Sequence, residues 1–402
     1  MPSLAYHDTA WAGGYHRHMT DTKTEPATGS RSGGSTSTTA DTRPYSPGLE
    51  GVIGAESAIG LVDGANGRLL YRGYPIGELV EKGTYAAVAE LLWTGEWHPD
   101  ARLAPEPVPG PVLTALRELP RDASPMDALR TAVSVWGAMQ RLAFPPTPED
   151  ARALTAFSPS ALAAFGRLRQ GLEPVQPDRS LSLAGAFLQQ LNGERPDAAA
   201  AKALEAYFIV AGEHGLNAST FTARVITATR SDLASAVCGA IGALKGPLHG
   251  GAPSEVVSQL HEIGSPERAE AWIKDTLDRG ERLMGFGHRV YRAYDPRAAA
   301  LRKVAEGMAG MADWLSLAVK VEDIALRVLA ERHPDRVLKT NVEYYTAAVL
   351  QGVGLPPELY PATFGLARHA GWTAHAIEQA GANRLIRPDM RYTGPEERHL
   401  PD

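Results

Sequence analysis

The chain has 402 residues, of which 44% are hydrophobic and 21% are charged, so it is long enough to bury a sizeable core in one large domain or two. Its formal net charge of −6 argues against a nucleic-acid-binding protein, which usually presents a basic face. The single cysteine cannot form an internal disulfide, no apolar run is long enough to span a membrane, and the N-terminus has no apolar signal core. We therefore expect a soluble, cytoplasmic protein that does not associate with membranes.

The N-terminal part of the chain, residues 1–46, is poor in large apolar residues and rich in glycine and serine. Such a composition cannot bury enough apolar surface to offset the entropy cost of ordering the chain. We predict that residues 1–46 form a disordered tail.

A small β-hairpin is predicted directly after this tail. Apolar residues at 59–61 and 69–71 flank a turn that contains Asn66-Gly67, a dipeptide typical of two-stranded hairpins. The rest of the chain shows neither a βαβ alternation nor an internal repeat. We expect little other sheet.

Apolar residues at helical spacing, with capping residues at the ends, dominate the remainder and predict an all-α fold. Thr84 and Gly95 are the expected caps of the first clear helix. Further helices are predicted over 112–119, 125–139, 158–170, 181–191, 197–211, 232–245 and 362–377, with others beginning near 253 and 341 and a buried stripe over 321–329.

His249 follows a helix and precedes Gly250-Gly251 and a predicted helix start at Pro253. The partial positive charge at a helix N-terminus disfavours an imidazolium, so His249 is suited to be a neutral hydrogen-bond donor. An ordinary corner histidine that caps a carbonyl is the alternative interpretation.

The stretch MGFGHRVYRAYDPR at 284–297 has the composition of an anion site. Gly285 and Gly287 allow a ligand to approach the backbone and its N–H groups, and His288 can transfer a proton near neutral pH. Arg297 suits a carboxylate. A glycine turn beside a helix would explain the same residues without a ligand.

Glu343 and Arg368 are further candidates. Glu343 lies in the first turn of a predicted helix, where a surface acid that complements the helix dipole is the alternative to a catalytic base. Arg368 lies within an apolar helix and needs an anionic partner, from the protein or from a ligand. Histidines, a carboxylate and arginines without metal-binding spacing suit an enzyme that acts on a small polycarboxylate.

Longer stretches carry a resemblance to a known family. They are EHGLNASTFTAR at 213–224, GALKGPLHGG at 242–251, MGFGHRVYRAYDPRA at 284–298, NVEYY at 341–345, FGLARHAGW at 364–372 and NRLIRPDMRYTG at 383–394. In this order, and over residues 47–394, the chain resembles the citrate synthase family.

The resemblance implies a mostly helical fold with two domains. Residues 47–251 and 357–402 would form the large domain, and residues 252–356 a small mobile domain whose closure removes water from the site. It also implies a homodimer. The larger bacterial members that NADH inhibits carry an extra folded N-terminal domain, whereas residues 1–46 of this chain are polar. We therefore expect a dimer that NADH does not inhibit.

The resemblance also assigns the site residues. His249, His288 and Glu343 are the catalytic groups. Oxaloacetate is bound by His214, Asn217, Arg297, Arg368 and Arg387, of which Arg387 comes from the other subunit. The coenzyme A thioester, a co-substrate, meets the backbone of Leu283, Met284, Gly285, Phe286 and Gly287. No metal and no permanently bound cofactor are expected.

The implied reaction condenses acetyl-CoA with oxaloacetate. Glu343 takes a proton from the methyl group of acetyl-CoA, and His249 donates a hydrogen bond to the thioester oxygen. The enolate attacks the ketone of oxaloacetate, which His288 polarises and protonates. Hydrolysis of citryl-CoA then releases citrate and CoA.

One residue departs from the family pattern, because Glu343 stands where the family has aspartate. The extra methylene moves the carboxylate by about 1.5 Å, and a shift of this size costs on the order of a hundredfold in rate unless the backbone compensates. Three interpretations stay open: a reshaped citrate synthase site, a 2-methylcitrate synthase that uses propionyl-CoA, and a non-catalytic relative that binds CoA or dicarboxylates.

Overall fold

The structure is a computed structural model that describes residues 44–249, 252–287, 294–307, 312–335, 338–395 and 397–401. Most of the predicted disordered tail, and His288, lie outside the described residues. The contacts divide the chain into two units. The described part of the smaller unit is 44–50 with 390–395 and 397–401, and it contains one short 3-10 turn, Pro47–Leu49. The larger unit, Gly51–Asp389, holds the elements described below.

The described residues are mostly helical. The strands are β1 (Gly60–Asp63), β2 (Arg68–Tyr71) and β3 (Tyr74–Pro75). The helices are α1 (Ile76–Lys82), α2 (Tyr85–Thr94), α3 (Gly110–Arg117), α4 (Pro125–Gln140), α5 (Pro148–Arg169), α6 (Leu183–Asn192), α7 (Ala198–Ala211), α8 (Ala218–Ala228), α9 (Leu233–Leu244), α10 (Ala252–Ile263), α11 (Pro266–Asp278), α12 (Pro296–Glu306), α13 (Ala312–Arg332), α14 (Val342–Gly352) and α15 (Tyr360–Gly381). None of these helices is long and apolar enough to cross a membrane.

The predicted hairpin is confirmed. β1 and β2 pair antiparallel with Leu61 opposite Leu70, and the short β3 adds a third strand. In the turn, Asp63 Oδ1 accepts a hydrogen bond from the backbone N–H of Asn66 at 3.1 Å, and Gly67 has a φ of 61°. Glycine adopts this left-handed conformation without steric cost, which is why Asn-Gly predicts the turn.

The capping residues set the predicted helix ends. The Thr84 side chain accepts from the Ala87 N–H at the start of α2, and Gly95 ends this helix in the left-handed conformation. Asp232 caps α9 and Asn341 caps α14 in the same way as Thr84. Each cap satisfies an N–H group or a carbonyl that the helix itself leaves unpaired.

The prediction for α5 was wrong at its beginning. The Ser158-Pro159 pair suggests a helix start, but the helix begins ten residues earlier, where Thr147 and Asp150 form a reciprocal capping box. Pro159 lies inside the helix, and the Ser158 hydroxyl donates to the Leu154 carbonyl at 2.8 Å. Burial of this segment outweighs the cost of a proline in a helix interior.

Helix α15 is central to the larger unit and packs on α2, α4, α5, α7, α8 and α9. Its close approach to the end of α7 depends on Gly371, whose N–H donates to the Gly212 carbonyl oxygen at 3.1 Å. A Cβ atom on Gly371 would lie 2.4 Å from that oxygen. This contact places Arg368 of α15 beside the residues that follow α7.

Helices α10 to α14 pack mainly on one another, and α12 and α14 also contact α7. The first turns of α14 and α12 bring Glu343 and Arg297 into the same region. The predicted division into a large domain and a small mobile domain stays a prediction, since residues 51–389 form one unit by their contacts.

Candidate active site

His249 lies against the start of α8. Its Nε2 is 2.9 Å from the Ser219 hydroxyl oxygen, which also accepts a hydrogen bond from the Trp372 indole N–H at 3.1 Å. Burial, together with the charge of Arg368, lowers the pKa of His249 below its ordinary value. The lowered pKa favours the neutral imidazole at pH 7, and its causes are burial and the nearby arginine.

Asn217 has a local structural role in addition to any contact with substrate. Its Oδ1 caps α8 by accepting from the Thr220 N–H at 3.1 Å and also accepts from the Ser219 hydroxyl at 2.8 Å. Its Nδ2 donates to the Gly215 carbonyl at 3.3 Å. Asn217 thus shapes the turn that carries the half-buried His214.

Glu213 is a site residue that sequence reasoning missed. The side chain is fully buried, and its Oε1 faces His375 Nε2 at 3.2 Å and accepts from the Gly215 N–H at 2.5 Å. Burial acts to raise the pKa of Glu213. The interactions with His375 and Arg368 outweigh this effect, so the pKa lies below its usual value. The only sequence signal was the position of Glu213 directly before His214.

A second arginine orients His375. Arg224 Nη1 lies 3.0 Å from His375 Nδ1 and donates to a Glu378 oxygen at 2.8 Å. A guanidinium can only donate, so Nδ1 accepts, and the proton of a neutral His375 is on Nε2, which donates to Glu213. This buried chain fixes the turn that carries His214.

Arg368 is 2% exposed and is held by the backbone. Its Nε donates to the Ala211 carbonyl at 2.6 Å, and its guanidinium carbon lies 4.8 Å from the centre of the Phe364 ring. Its charge acts on Glu213, His249 and Glu343. Protein groups thus fix its orientation, and its electrostatic field covers the candidate site.

Arg297 is paired with Asp295, a buried carboxylate that also caps α12. Arg297 Nε and Nη2 donate to Asp295 Oδ1 and Oδ2 at 3.1 Å and 2.8 Å. Asp295 Oδ2 also accepts from the Val342 N–H at 3.1 Å, at the start of α14. One carboxylate therefore links the candidate substrate-binding arginine to the helix that carries Glu343.

Glu343 occupies the first turn of α14, where its N–H donates to the capping oxygen of Asn341 at 3.0 Å. Burial raises the pKa of Glu343, the charge of Asp295 adds to the rise, and Arg297 and Arg368 oppose it. A carboxylate with a raised pKa is a stronger base. The alternative interpretation, a surface acid, would be solvated, and burial would then not raise its pKa.

The glycine stretch at 285–287 pairs with the segment before α14. Gly285 and Gly287 have φ values of 85° and 82°, and Phe286 forms an antiparallel bridge with Thr340. A Cβ atom on Gly285 would lie 2.8 Å from the Tyr344 ring. Gly285 therefore allows close packing on α14, and Gly287 allows close approach to Leu338, where a Cβ atom would lie 3.3 Å from the side chain.

The prediction that this stretch exposes its N–H groups was wrong at two positions. The Gly287 N–H donates to the Lys339 carbonyl at 2.8 Å, and the Met284 N–H donates to Gln259 Oε1 at 2.9 Å. Leu283, just before them, is buried. The pairing with 339–341 was not visible in the sequence because the two paired segments lie about 50 residues apart.

The structure thus brings His249, Arg297, Glu343 and Arg368 into one electrostatic neighbourhood. The hydroxyl of Tyr207, another residue that sequence reasoning missed, lies in the field of three of them: Glu343, Arg368 and Arg297. Arg387 lies apart, exposed near the end of the larger unit. Among the described residues, no cluster of side chains could hold a metal ion.

A half-buried carboxylate base, a neutral histidine and two buried arginines in a helical fold define an enzyme that activates a carbon acid beside an anionic substrate. The family model described as "Citrate synthase, C-terminal domain" matches residues 48–389. The chain belongs to the citrate synthase family and is an acyltransferase of that family.

Individual relatives agree with this assignment. A citrate synthase from Haloferax volcanii is 41% identical over 370 residues, 87% of this chain and 96% of that protein. A 2-methylcitrate synthase from Mycobacterium tuberculosis is 40% identical over 385 residues, 91% of this chain and 95% of that protein. The citrate synthase from Thermoplasma acidophilum, solved with carboxymethyl coenzyme A and oxaloacetate, has a TM-score of 0.78 and 30% identity, covering 90% of this chain and 99% of that one.

Proposed function

We propose that this chain condenses acetyl-CoA with oxaloacetate and hydrolyses the resulting citryl-CoA to citrate and CoA, as an enzyme of the tricarboxylic acid cycle in the cytoplasm. The observation that carries the proposal is the position of Glu343, half-buried in the first turn of α14 and within the electrostatic field of Arg297, Asp295 and Arg368. A base with a raised pKa stands beside cations that suit a dicarboxylate. The Thermoplasma relative, solved with a CoA analogue and oxaloacetate, supports this choice of substrates.

Glu343 removes a proton from the methyl group of acetyl-CoA. The proton passes to the carboxylate, and the electron pair of the C–H bond becomes the enolate. Burial favours this step because it destabilises the charged form of Glu343 relative to the protonated form. The Asn341 cap fixes the backbone from which Glu343 extends.

His249 stabilises the enolate oxygen by a hydrogen bond. The Ser219 hydroxyl has one proton, which can go either to Asn217 Oδ1 at 2.8 Å or to His249 Nε2 at 2.9 Å. In the second arrangement, His249 Nε2 accepts and the imidazole carries its own proton on Nδ1. Nδ1–H then donates to the thioester oxygen. The lowered pKa of His249 keeps the ring neutral, so the oxygen is stabilised without transfer of a full proton.

The arginines bind the carboxylates of oxaloacetate. Arg297 and Arg368 are held in place by Asp295 and by the Ala211 carbonyl, so little side-chain entropy is lost when the substrate binds. His214 and Asn217 lie in the turn that Glu213 supports. His288, which polarises the ketone, and the thioester contacts of 283–287 are proposed from the family resemblance, as is closure of residues 252–356 over the site.

Arg387 completes the site from the second subunit of a homodimer. Its side chain is exposed, and so is that of the apolar Leu385, two residues before it. Both side chains are therefore available to contact a second copy of the chain.

2-Methylcitrate synthesis from propionyl-CoA is the second candidate, because the Mycobacterium relative is as similar as the citrate synthases. Release of the CoA thiol, measured with oxaloacetate and either acetyl-CoA or propionyl-CoA, decides between them. We expect a higher kcat/KM for acetyl-CoA. A higher value for propionyl-CoA would assign the protein to 2-methylcitrate synthesis, and no release with either would leave a binding protein.

A further inference from the structure

A cluster of polar side chains around Glu322 lies outside the groups assigned to substrates. Glu322 belongs to α13 and is 0% exposed. Its Oε1 accepts a hydrogen bond from the Tyr294 hydroxyl at 2.9 Å. Its Oε2 accepts from Arg302 Nη1 at 2.9 Å and from the Tyr345 hydroxyl. Three donors therefore use both oxygens of one buried carboxylate.

The position of Glu322 within α13 makes this arrangement costly. Its neighbour Val321 belongs to the apolar core, as does Ala325 one turn later, and an apolar side chain at 322 would avoid burying a charge. The carboxylate is tolerated because Arg302 and two hydroxyl groups replace its hydration. Directional hydrogen bonds fix the angles between elements more narrowly than apolar contacts do.

The donors come from two segments that lead into the active site. Tyr345 follows Glu343 by two residues in α14. Tyr294 directly precedes Asp295, which binds Arg297. A second side chain of α14 also binds α13, because the Tyr344 hydroxyl donates a hydrogen bond to the Ala318 carbonyl at 2.7 Å, one turn before Glu322. Helix α13 thus contacts both the helix of the base and the segment that orients the arginine.

We propose that Glu322 is a positioning residue that sets the location of the base Glu343 relative to Arg297. The Tyr345 hydrogen bond fixes the start of α14, and the Tyr294 hydrogen bond fixes the segment that leads into α12. The inference rests on the proposed function, which assigns the base to Glu343 and a carboxylate of oxaloacetate to Arg297. Glu322 acts through these residues and does not touch the reacting atoms.

Two single substitutions separate the two hydrogen bonds. Tyr345→Phe removes the one to α14, and Tyr294→Phe removes the one to the segment before α12. The matched control is Tyr360→Phe, since the buried Tyr360 hydroxyl donates to Gln351 Oε1 at 3.1 Å, at the far end of α14. All three changes delete one hydroxyl that bonds to a side-chain oxygen.

Four quantities are measured for each variant: kcat, the deuterium isotope effect with methyl-deuterated acetyl-CoA, the Kd of oxaloacetate by calorimetry, and Tm. We expect Tyr345→Phe to lower kcat about tenfold and to raise the isotope effect while the Kd changes less than about twofold, because misalignment of the base slows proton transfer. We expect Tyr294→Phe to raise the Kd about fivefold with a smaller change in kcat. Tyr360→Phe should change neither kcat nor the Kd of oxaloacetate.

The proposal would be overturned if kcat and oxaloacetate affinity fell together in all three variants, in proportion to the loss of Tm. The cluster around Glu322 would then serve only stability. Effects of Tyr345→Phe and Tyr294→Phe no larger than those of the control would do the same. Failure of the proposed function is a separate result, since it is seen in the unchanged protein as absent CoA release. In that case the positioning proposal is still tested by two binding and exchange measurements. We expect faster amide hydrogen exchange at 342–346 only in Tyr345→Phe, and a raised Kd of oxaloacetate only in Tyr294→Phe. Unchanged values in both variants would overturn the positioning proposal.

Discussion

Glu343 differs from the aspartate of the family pattern by one methylene, and the structure indicates how a glutamate is accommodated. Its backbone is fixed by the Asn341 cap, and the Asp295 carboxylate binds the N–H of the preceding Val342. Arg297 and Arg368 offset part of the cost of its burial. Glu343 therefore extends from a fixed backbone into the electrostatic field of two arginines and one aspartate.

The raised pKa of Glu343 has a consequence for stability. A carboxyl group with a higher pKa in the folded state than in the unfolded chain destabilises the fold once the pH is above its unfolded value. This cost is complete above the folded pKa. It vanishes below the ordinary value of 4.5, where the group is protonated in both states.

We predict that Glu343→Gln abolishes turnover, leaves the Kd of oxaloacetate nearly unchanged and raises Tm at pH 7. The gain in Tm should shrink as the pH is lowered toward 4.5, because the wild-type carboxyl is then also neutral. CoA release, calorimetry and thermal unfolding across this pH range provide the test. Glu118→Gln, at an exposed glutamate, is the control.

Retained turnover in Glu343→Gln would remove this residue from proton abstraction. A gain in Tm that is the same at both ends of the pH range would show that the charge of Glu343 is not its source.

Helix α15 shows how one element supports the site through backbone contact. Gly371 packs directly on Gly212 and Glu213, so the helix that carries Arg368 and His375 is held at a fixed distance from the turn that carries His214. A second buried glycine of the same helix, Gly365, meets only side chains, at 3.4 Å and beyond. The two glycines therefore differ in what surrounds them.

We predict that Gly371→Ala destabilises the fold by about 3 kcal/mol or more, because the new methyl group meets a backbone oxygen that cannot rotate away. Its oxaloacetate affinity should fall as well. Gly365→Ala, the matched control, should stay within about 1 kcal/mol of the wild type. Denaturant unfolding measures both, and equal effects would show that the approach of α15 to Gly212 is not a tight constraint.

At the scale of the whole molecule, the proposed dimer makes each site depend on both chains. Arg387 would come from one subunit, whereas Glu343 and Arg297 come from the other. On this proposal, a variant that lacks Arg387 and a variant that lacks Glu343 should each be inactive alone. In a mixed dimer, one of the two sites holds both intact residues.

We predict that mixing and refolding Arg387→Ala with Glu343→Gln restores about a quarter of wild-type activity, because half of randomly formed dimers are mixed and each has one intact site. The control mixture, Arg297→Ala with Glu343→Gln, should stay inactive, since these two residues serve the same site from one chain. Restoration in both mixtures, or in neither, would contradict the supply of Arg387 across the interface. Sedimentation should show a dimer, and a hexamer would contradict the proposed assembly.

The sequence by itself determined the features that depend on neighbours along the chain. Apolar spacing and capping residues such as Thr84 and Gly95 predicted the helical class and most helix starts, and Asn66-Gly67 predicted the hairpin, because these signals act within one or two turns. The family motifs identified the candidate residues from His214 to Arg387. These are local patterns, so a single sequence contains them.

The tertiary structure decided what depends on residues far apart in the chain. The pairing of 285–287 with 339–341, the chain from Arg224 through His375 to Glu213, and the cluster around Glu322 join segments that no local pattern connects. The directions of the pKa shifts of His249 and Glu343 follow from the same packing, since burial and neighbouring charges set them. Burial also allows α5 to continue through Pro159, where the local signal favours a helix start.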